Sequence, residues 1–252
     1  MLNMSFFIKE LKEIIKTKKL VIMVSLFIFF AILSPLTARY INEILASLGQ
    51  GVSITLPEPT LIDSWGQYFK NLSSICLIVY LIVMTGSVSH EKSKGSILLV
   101  MTKRVSRFNF LFSKLLSGIL LFTVCYIISF VISGFYTNIL FGSYTYDGLW
   151  ISLLLMWFMG VFFTSLANFA SVISKSPTIS AIYGFVGLAL ITILNVIPKF
   201  SKFSPAGGAM LVTQIMLGII SQNDSIINLA FATLGTILLF AITYFIFRKQ
   251  EI

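Results

Sequence analysis

The chain has 252 residues, 57% of them apolar and only 11% charged, where an ordinary soluble domain is about 25% charged. That excludes a soluble globular domain of ordinary size, because apolar runs long enough for the roughly 30 Å hydrocarbon core recur along the whole length. The formal charge of +9 does not call for nucleic acid, since an excess of Lys and Arg in the loops of one membrane face accounts for it.

Taken in chain order, residues 1–19 come first. Met4, Phe7, Ile8, Leu11, Ile14 and Ile15 recur at three and four residues, with Lys9, Lys12, Glu13 and Lys16 on the other face. This spacing predicts an amphipathic helix along the inner leaflet. It serves either as a surface anchor or as an elbow that also touches a cytoplasmic partner, with Lys9, Lys12 and Lys16 as the candidate contacts.

Six spans follow, all read as helices: Leu20 to Leu36, Leu72 to Val88, Leu115 to Tyr136, Leu149 to Ser174, Ile179 to Ile197, and Ile226 to Phe247. A membrane barrel would alternate apolar and polar residues over about ten positions, whereas these runs are apolar on every face. The first is read as a retained span, because "LSPLTARY" after it offers no small-x-small cleavage site. Between spans one and two, residues 39–69 form an external loop with a short helix pattern and then "LPEPT", where prolines enforce extended backbone. The turn "SKSPT" is tight enough to make spans four and five an antiparallel hairpin. Residues 198–225 contain "AMLVTQIMLGII", apolar yet too short to cross, so this segment either dips in and returns or lies flat on the outer leaflet.

Lysine and arginine placement sets the orientation. With the N-terminus inside, 14 of the 18 Lys and Arg fall in cytoplasmic segments; only Arg39, Lys70, Lys199 and Lys202 fall outside, beside five of the nine acids. Both termini are therefore expected in the cytoplasm of a bacterial-type cell, with the chain multi-pass in its plasma membrane.

The chemistry of the spans is sparse. They contain no Asp, Glu or His, which argues against an ion-coupled carrier, an intramembrane protease and a metal-dependent hydrolase. The single histidine, His90, ends span two, and Cys76 and Cys125 are spaced unlike metal ligands. No G-x-x-x-x-G-K-[ST] motif occurs, so ATP phosphates would have to be bound by another chain. Weakly polar residues such as Ser73, Ser74, Thr164, Asn168 and Thr192 suit packing between helices, or a substrate path.

The most charged stretch is the loop 89–107, "SHEKSKGSILLVMTKRVSR". Ser96 to Met101 is an apolar patch framed by Lys92, Lys94, Lys103, Arg104 and Arg107. Gly95 breaks the helix descending from span two, Ser96 is placed to cap a new one, and Ser106 with Arg107 punctuates the turn into span three. Glu91 is expected to pair with Lys94 or Lys92, or to tie the start of the short helix. The basic residues would alternatively only fix topology and touch lipid headgroups.

The order of these residues resembles the membrane-spanning subunits of type 2 ABC exporters, the ABC-2 permease family. Glu91, Gly95 followed by Ser96, the Ile97 to Val100 run, Ser106, Arg107 and Lys114 match that family's loop between spans two and three. Arg104 stands where many relatives carry proline. The resemblance extends to the six-span topology, the amphipathic N-terminal helix and the apolar segment before span six.

What it implies is an all-α membrane protein with a single transmembrane domain over residues 1–252, in which 89–107 is a coupling helix seated in a groove of a cytoplasmic P-loop ATPase. Glu91, Gly95, Ser96, Ile97, Leu98, Arg104, Ser106 and Arg107 would form that contact. Two ATPase copies, a second permease chain, identical or similar, and the lipid bilayer are the implied partners; ATP and Mg would sit on the ATPase and no cofactor on this chain. The cargo would be hydrophobic or amphipathic, with peptide export favoured over sodium, drugs or lipid-linked sugars. The competing reading is a non-transporting membrane anchor or sensor docking another cytoplasmic protein.

Overall fold

The computed structural model describes residues 3–48, 57–102, 105–195, 197–219 and 222–250, and everything described is helical or connecting. Six helices are long and apolar enough to cross a membrane. They are α2 (Lys19–Arg39), the α4–α5 unit (Leu61–Asn71 and Leu77–Ser93), α7 (Arg107–Phe141), α8 (Leu149–Ile173), α9 (Pro177–Leu194) and α12 (Gln222–Lys249). The shorter elements are α1 (Met4–Lys16), α3 (Ile41–Leu48), α6 (Ser96–Met101), α10 (Pro198–Ser201) and α11 (Gly208–Met216).

Span two departs from expectation. Its helix begins eleven residues early, at Leu61, with a capping box in which Thr60 and Asp63 exchange hydrogen bonds. Asp63, Gln67 and Lys70 interrupt the apolar run that marks a span. The fold nevertheless continues the helix, because Trp65, Tyr68, Phe69 and Leu72 share one face and are buried. A single π turn, Leu72–Cys76, joins α4 to α5.

The helix α8 is the centre of the bundle, packed by α5, α7, α9, α11 and α12. Close approach at its middle depends on Gly160, where an added Cβ would lie 2.1 Å from the Phe122 ring. With lipid-like surroundings on the outside, hydrogen bonds between helices replace hydrophobic drive as the specific glue. Tyr80 donates to the Gly118 carbonyl at 3.0 Å and pairs with the Thr164 hydroxyl at 2.6 Å, while Tyr126 donates to the Leu153 carbonyl at 2.9 Å. Ser180 donates to the Thr85 carbonyl at 2.6 Å, fixing α9 on α5.

The segment between α9 and α12 packs into the bundle. Pro205 lies against Gly235, midway along α12, beside the Phe162 ring of α8. From there α11 runs antiparallel to α8, with Gly208 against the Leu155 backbone and Ile215 against Gly148 at the helix start. Leu211 and Val212 are fully buried by this arrangement.

Candidate functional site

The first and last described helices meet at one end of the bundle, where α1, the α5–α6–α7 turns and the end of α12 converge. A stack of rings forms its floor: Phe6 of α1 against Phe110 of α7 at 5.5 Å, and Phe110 against Phe247 of α12 at 5.5 Å and 8°. Ile97 of α6, Val88 of α5 and Val172 of α8 close around them.

Beside this floor lies a buried charge hub. The Lys114 side chain is 1% exposed, and its ammonium donates to Glu10 at 2.9 Å and Glu91 at 3.0 Å. Lys9, 43% exposed, contacts Glu10, Glu13 and Glu91, each at 2.9 Å. Three carboxylates whose oxygens lie within 4.8 Å of one another would repel strongly if unpaired, and the two ammoniums between them supply the compensation. Burial alone would drive the proton off Lys9, but the Glu10 charge and the hydrogen bonds to Glu13, Glu10 and Glu91 outweigh it and raise its pKa. Burial likewise pushes Glu13 up, yet the Lys9 hydrogen bond and the Lys114 charge hold it below the usual carboxylate range.

This hub joins three elements far apart in sequence, α1, α5 and α7. Buried charges are tolerated only with such partners, and removing one strands the others. The network is not closed, however: the second oxygen of Glu91 is buried and takes no hydrogen bond from the described residues.

A second set of contacts ties the end of α12. The Arg107 guanidinium donates to the carbonyls of Phe247 at 2.9 Å, Arg248 at 2.6 Å and Gln250 at 3.0 Å, satisfying orphan carbonyls of a helix C-terminus with a cation. Lys92 donates to the Val172 carbonyl and to Gln250 at 2.6 Å, and Gln250 donates to Val172 as well. The ends of α5, α7, α8 and α12 are thereby one cross-linked unit.

The loop itself follows from local chemistry. Gly95 takes φ 69°, the left-handed turn that stops α5 and starts α6. Ser96 does not cap α6, as its position suggested; its hydroxyl donates back to the Glu91 carbonyl at 3.3 Å, steadying the end of α5. Ser106 does cap α7, accepting from the Asn109 amide at 3.2 Å. Ile97 is buried, whereas Leu98 and Leu99 are 52% and 68% exposed.

The predicted site residues thus fall into two groups. Glu91, Ile97, Arg107 and Lys9 face inward or tie helices together, Ser106 is exposed and caps only its own helix, and Glu91 pairs with Lys9 and Lys114 rather than with Lys92 or Lys94. Gly95, Leu98, Lys12 and Lys16 are exposed and Ser96 is half-buried, while Arg104 lies outside the described residues. Glu10 was missed, although an acid one helical turn after Phe6 on a basic helix was its visible signal.

A bundle of six span-length apolar helices with a cross-linked, charged end defines a multi-pass α-helical membrane protein. A family model described as "ABC-2 family transporter protein" matches residues 4–214. The chain belongs to the ABC-2 transporter family, and so is the membrane component of an ABC transporter, a class that works with an ATPase subunit. It is also similar, at 24% identity over 248 residues and 96% of each chain, to the "Uncharacterized transmembrane protein YxlG" of Bacillus subtilis (strain 168).

Proposed function

We propose that this chain is the permease subunit of an exporter that moves a hydrophobic or amphipathic substrate, with a peptide favoured, out of the cell. ATP and Mg would be handled by two copies of a separate P-loop ATPase, and a second permease chain, identical or similar, would complete the pathway. The charged end of the bundle faces the cytoplasm in this reading, in keeping with the excess of Lys and Arg there. The segment carrying α10 and α11 is then re-entrant from the outer side.

One observation carries the proposal: α6 presents Leu98 and Leu99 outward while Ile97, on its other side, is buried in the ring stack of α1, α7 and α12. Two exposed leucines on a short helix framed by basic residues suit an apolar groove with an acidic rim. A push on α6 would pass through Ile97 into the ring stack and through Glu91 to α1 and α7, so the hub is built to move these elements together. The absence of Asp, Glu and His from the predicted spans favours apolar cargo over a bare ion.

The test is co-purification of an ATPase with the tagged chain from its own membrane, comparing wild type with Leu98→Asp/Leu99→Asp. Loss of a stoichiometric P-loop ATPase in the variant, at unchanged permease yield, supports the docking role. Its retention removes α6 from the contact.

A further inference from the structure

A groove of about 710 Å³ opens between α1 and the start of α2 on one side and α5, α6 and the start of α9 on the other. Along α5 its wall is one helix face: Val83, Gly86, His90 and Lys94. At Gly86 a side-chain carbon would meet nothing within 4 Å, so the trough is open there, and Leu99 extends its apolar surface from α6.

The polar end of the groove is cationic. Lys19 and Lys94 line it, and neither makes an ion pair among the described residues. Glu13 and Glu91 line it too, but Lys9 and Lys114 already hold them. Lys9, Lys114, Lys19 and Lys94 set against Glu10, Glu13 and Glu91 leave one positive charge.

The positions of these residues along the spans give the groove a depth. Lys19 is the first residue of α2 and Lys94 the first beyond α5, so both stand at the boundary of the apolar core, while Gly86 and Val83 lie about two and three turns further in along α5. A cationic mouth leading into an apolar trough at that boundary is complementary to an amphiphile with a single anionic head.

We propose that this groove seats one anionic phospholipid of the inner leaflet, its phosphodiester between Lys19 and Lys94 and an acyl chain over Gly86 and Val83. The exposed His90 ring stands beside the head as a further hydrogen-bonding group. The binding is independent of any ATPase, and only its assignment to the inner leaflet rests on the orientation proposed above.

The experiment is native mass spectrometry of the full chain in detergent micelles containing phosphatidylglycerol and phosphatidylcholine of matched chains. Wild type should retain one phosphatidylglycerol in preference to phosphatidylcholine. Lys19→Gln/Lys94→Gln should lower that occupancy by about tenfold or more. Gly86→Leu, which fills the trough without removing a charge and meets no neighbour at its Cβ, should lower it at an unchanged melting temperature. Equal retention of the two lipids, or occupancy unaltered in both variants, would overturn the proposal. So would rapid disulfide-linked dimerisation of Gly86→Cys, which would show that a second copy of the chain covers the groove.

Discussion

Replacing Lys114 with Met removes the one hub cation that is fully buried and leaves Lys9 alone between three carboxylates. Lys114 contacts Glu10 and Glu91 at 2.9 and 3.0 Å, and each such contact is worth about 5.5 kcal/mol by Coulomb's law at an effective dielectric near 20, before desolvation is charged against it. Breaking a buried ion pair by deleting one partner costs about 3–5 kcal/mol, because the stranded charge dominates. Taking about 4 kcal/mol and roughly 2–4 °C per kcal/mol for a chain of this size, Lys114→Met should melt about 8–16 °C below wild type. The double variant Lys114→Met/Glu91→Gln, which removes the stranded charge too, should recover most of that loss. Thermal melting in mild detergent, followed by size-exclusion chromatography, measures all of these. A single variant within about 1 °C of wild type, or a double variant no more stable than the single, would refute the hub as a compensated buried network.

Two further outcomes follow from the same end of the bundle. Arg107→Ala should fray the last turn of α12, raising hydrogen exchange at residues 244–250, and Arg107→Lys should restore only part of the protection because the lysine ammonium is a strongly hydrated point charge on a flexible stem, without the pre-organised planar guanidinium. Acid should release α1: Glu13 sits below its ordinary value, so its contribution is present above about pH 4.5 and is lost as pH falls below that, whereas the raised Lys9 contributes throughout and is lost only in strong alkali. Exchange protection over residues 4–16 should be flat from about pH 6 to 9 and collapse in acid; collapse at neutral pH would contradict this assignment.

The spans were legible because an apolar run of about twenty residues is almost a definition of a membrane helix. The N-terminal extension of span two was not, since α4 is amphipathic and its polar residues hide a buried Trp65 and Tyr68. Within the charged loop, Gly95 as the break and Ser106 with Arg107 as the turn into α7 were legible from near neighbours, whereas the cap expected at Ser96 did not form, because its hydroxyl turns back to the Glu91 carbonyl. The partners of Glu91 and Arg107 were not legible, because Lys9 and Phe247 are 82 and 140 residues distant and come together only by packing. Glu91 was therefore expected to seek Lys92 or Lys94, which the helix instead turns toward other surfaces. The whole-chain resemblance to ABC-2 permeases rested on the six-span topology together with a loop motif whose members turn out to divide between internal fastening and exposed surface.

The most direct measurement of the central claim is the substrate-stimulated ATPase activity of the reconstituted permease–ATPase complex with Leu98→Asp/Leu99→Asp on this chain. If α6 transmits between the two, stimulation falls to the basal rate while the permease remains folded and membrane-inserted. Full stimulation in that variant would contradict the role given to α6.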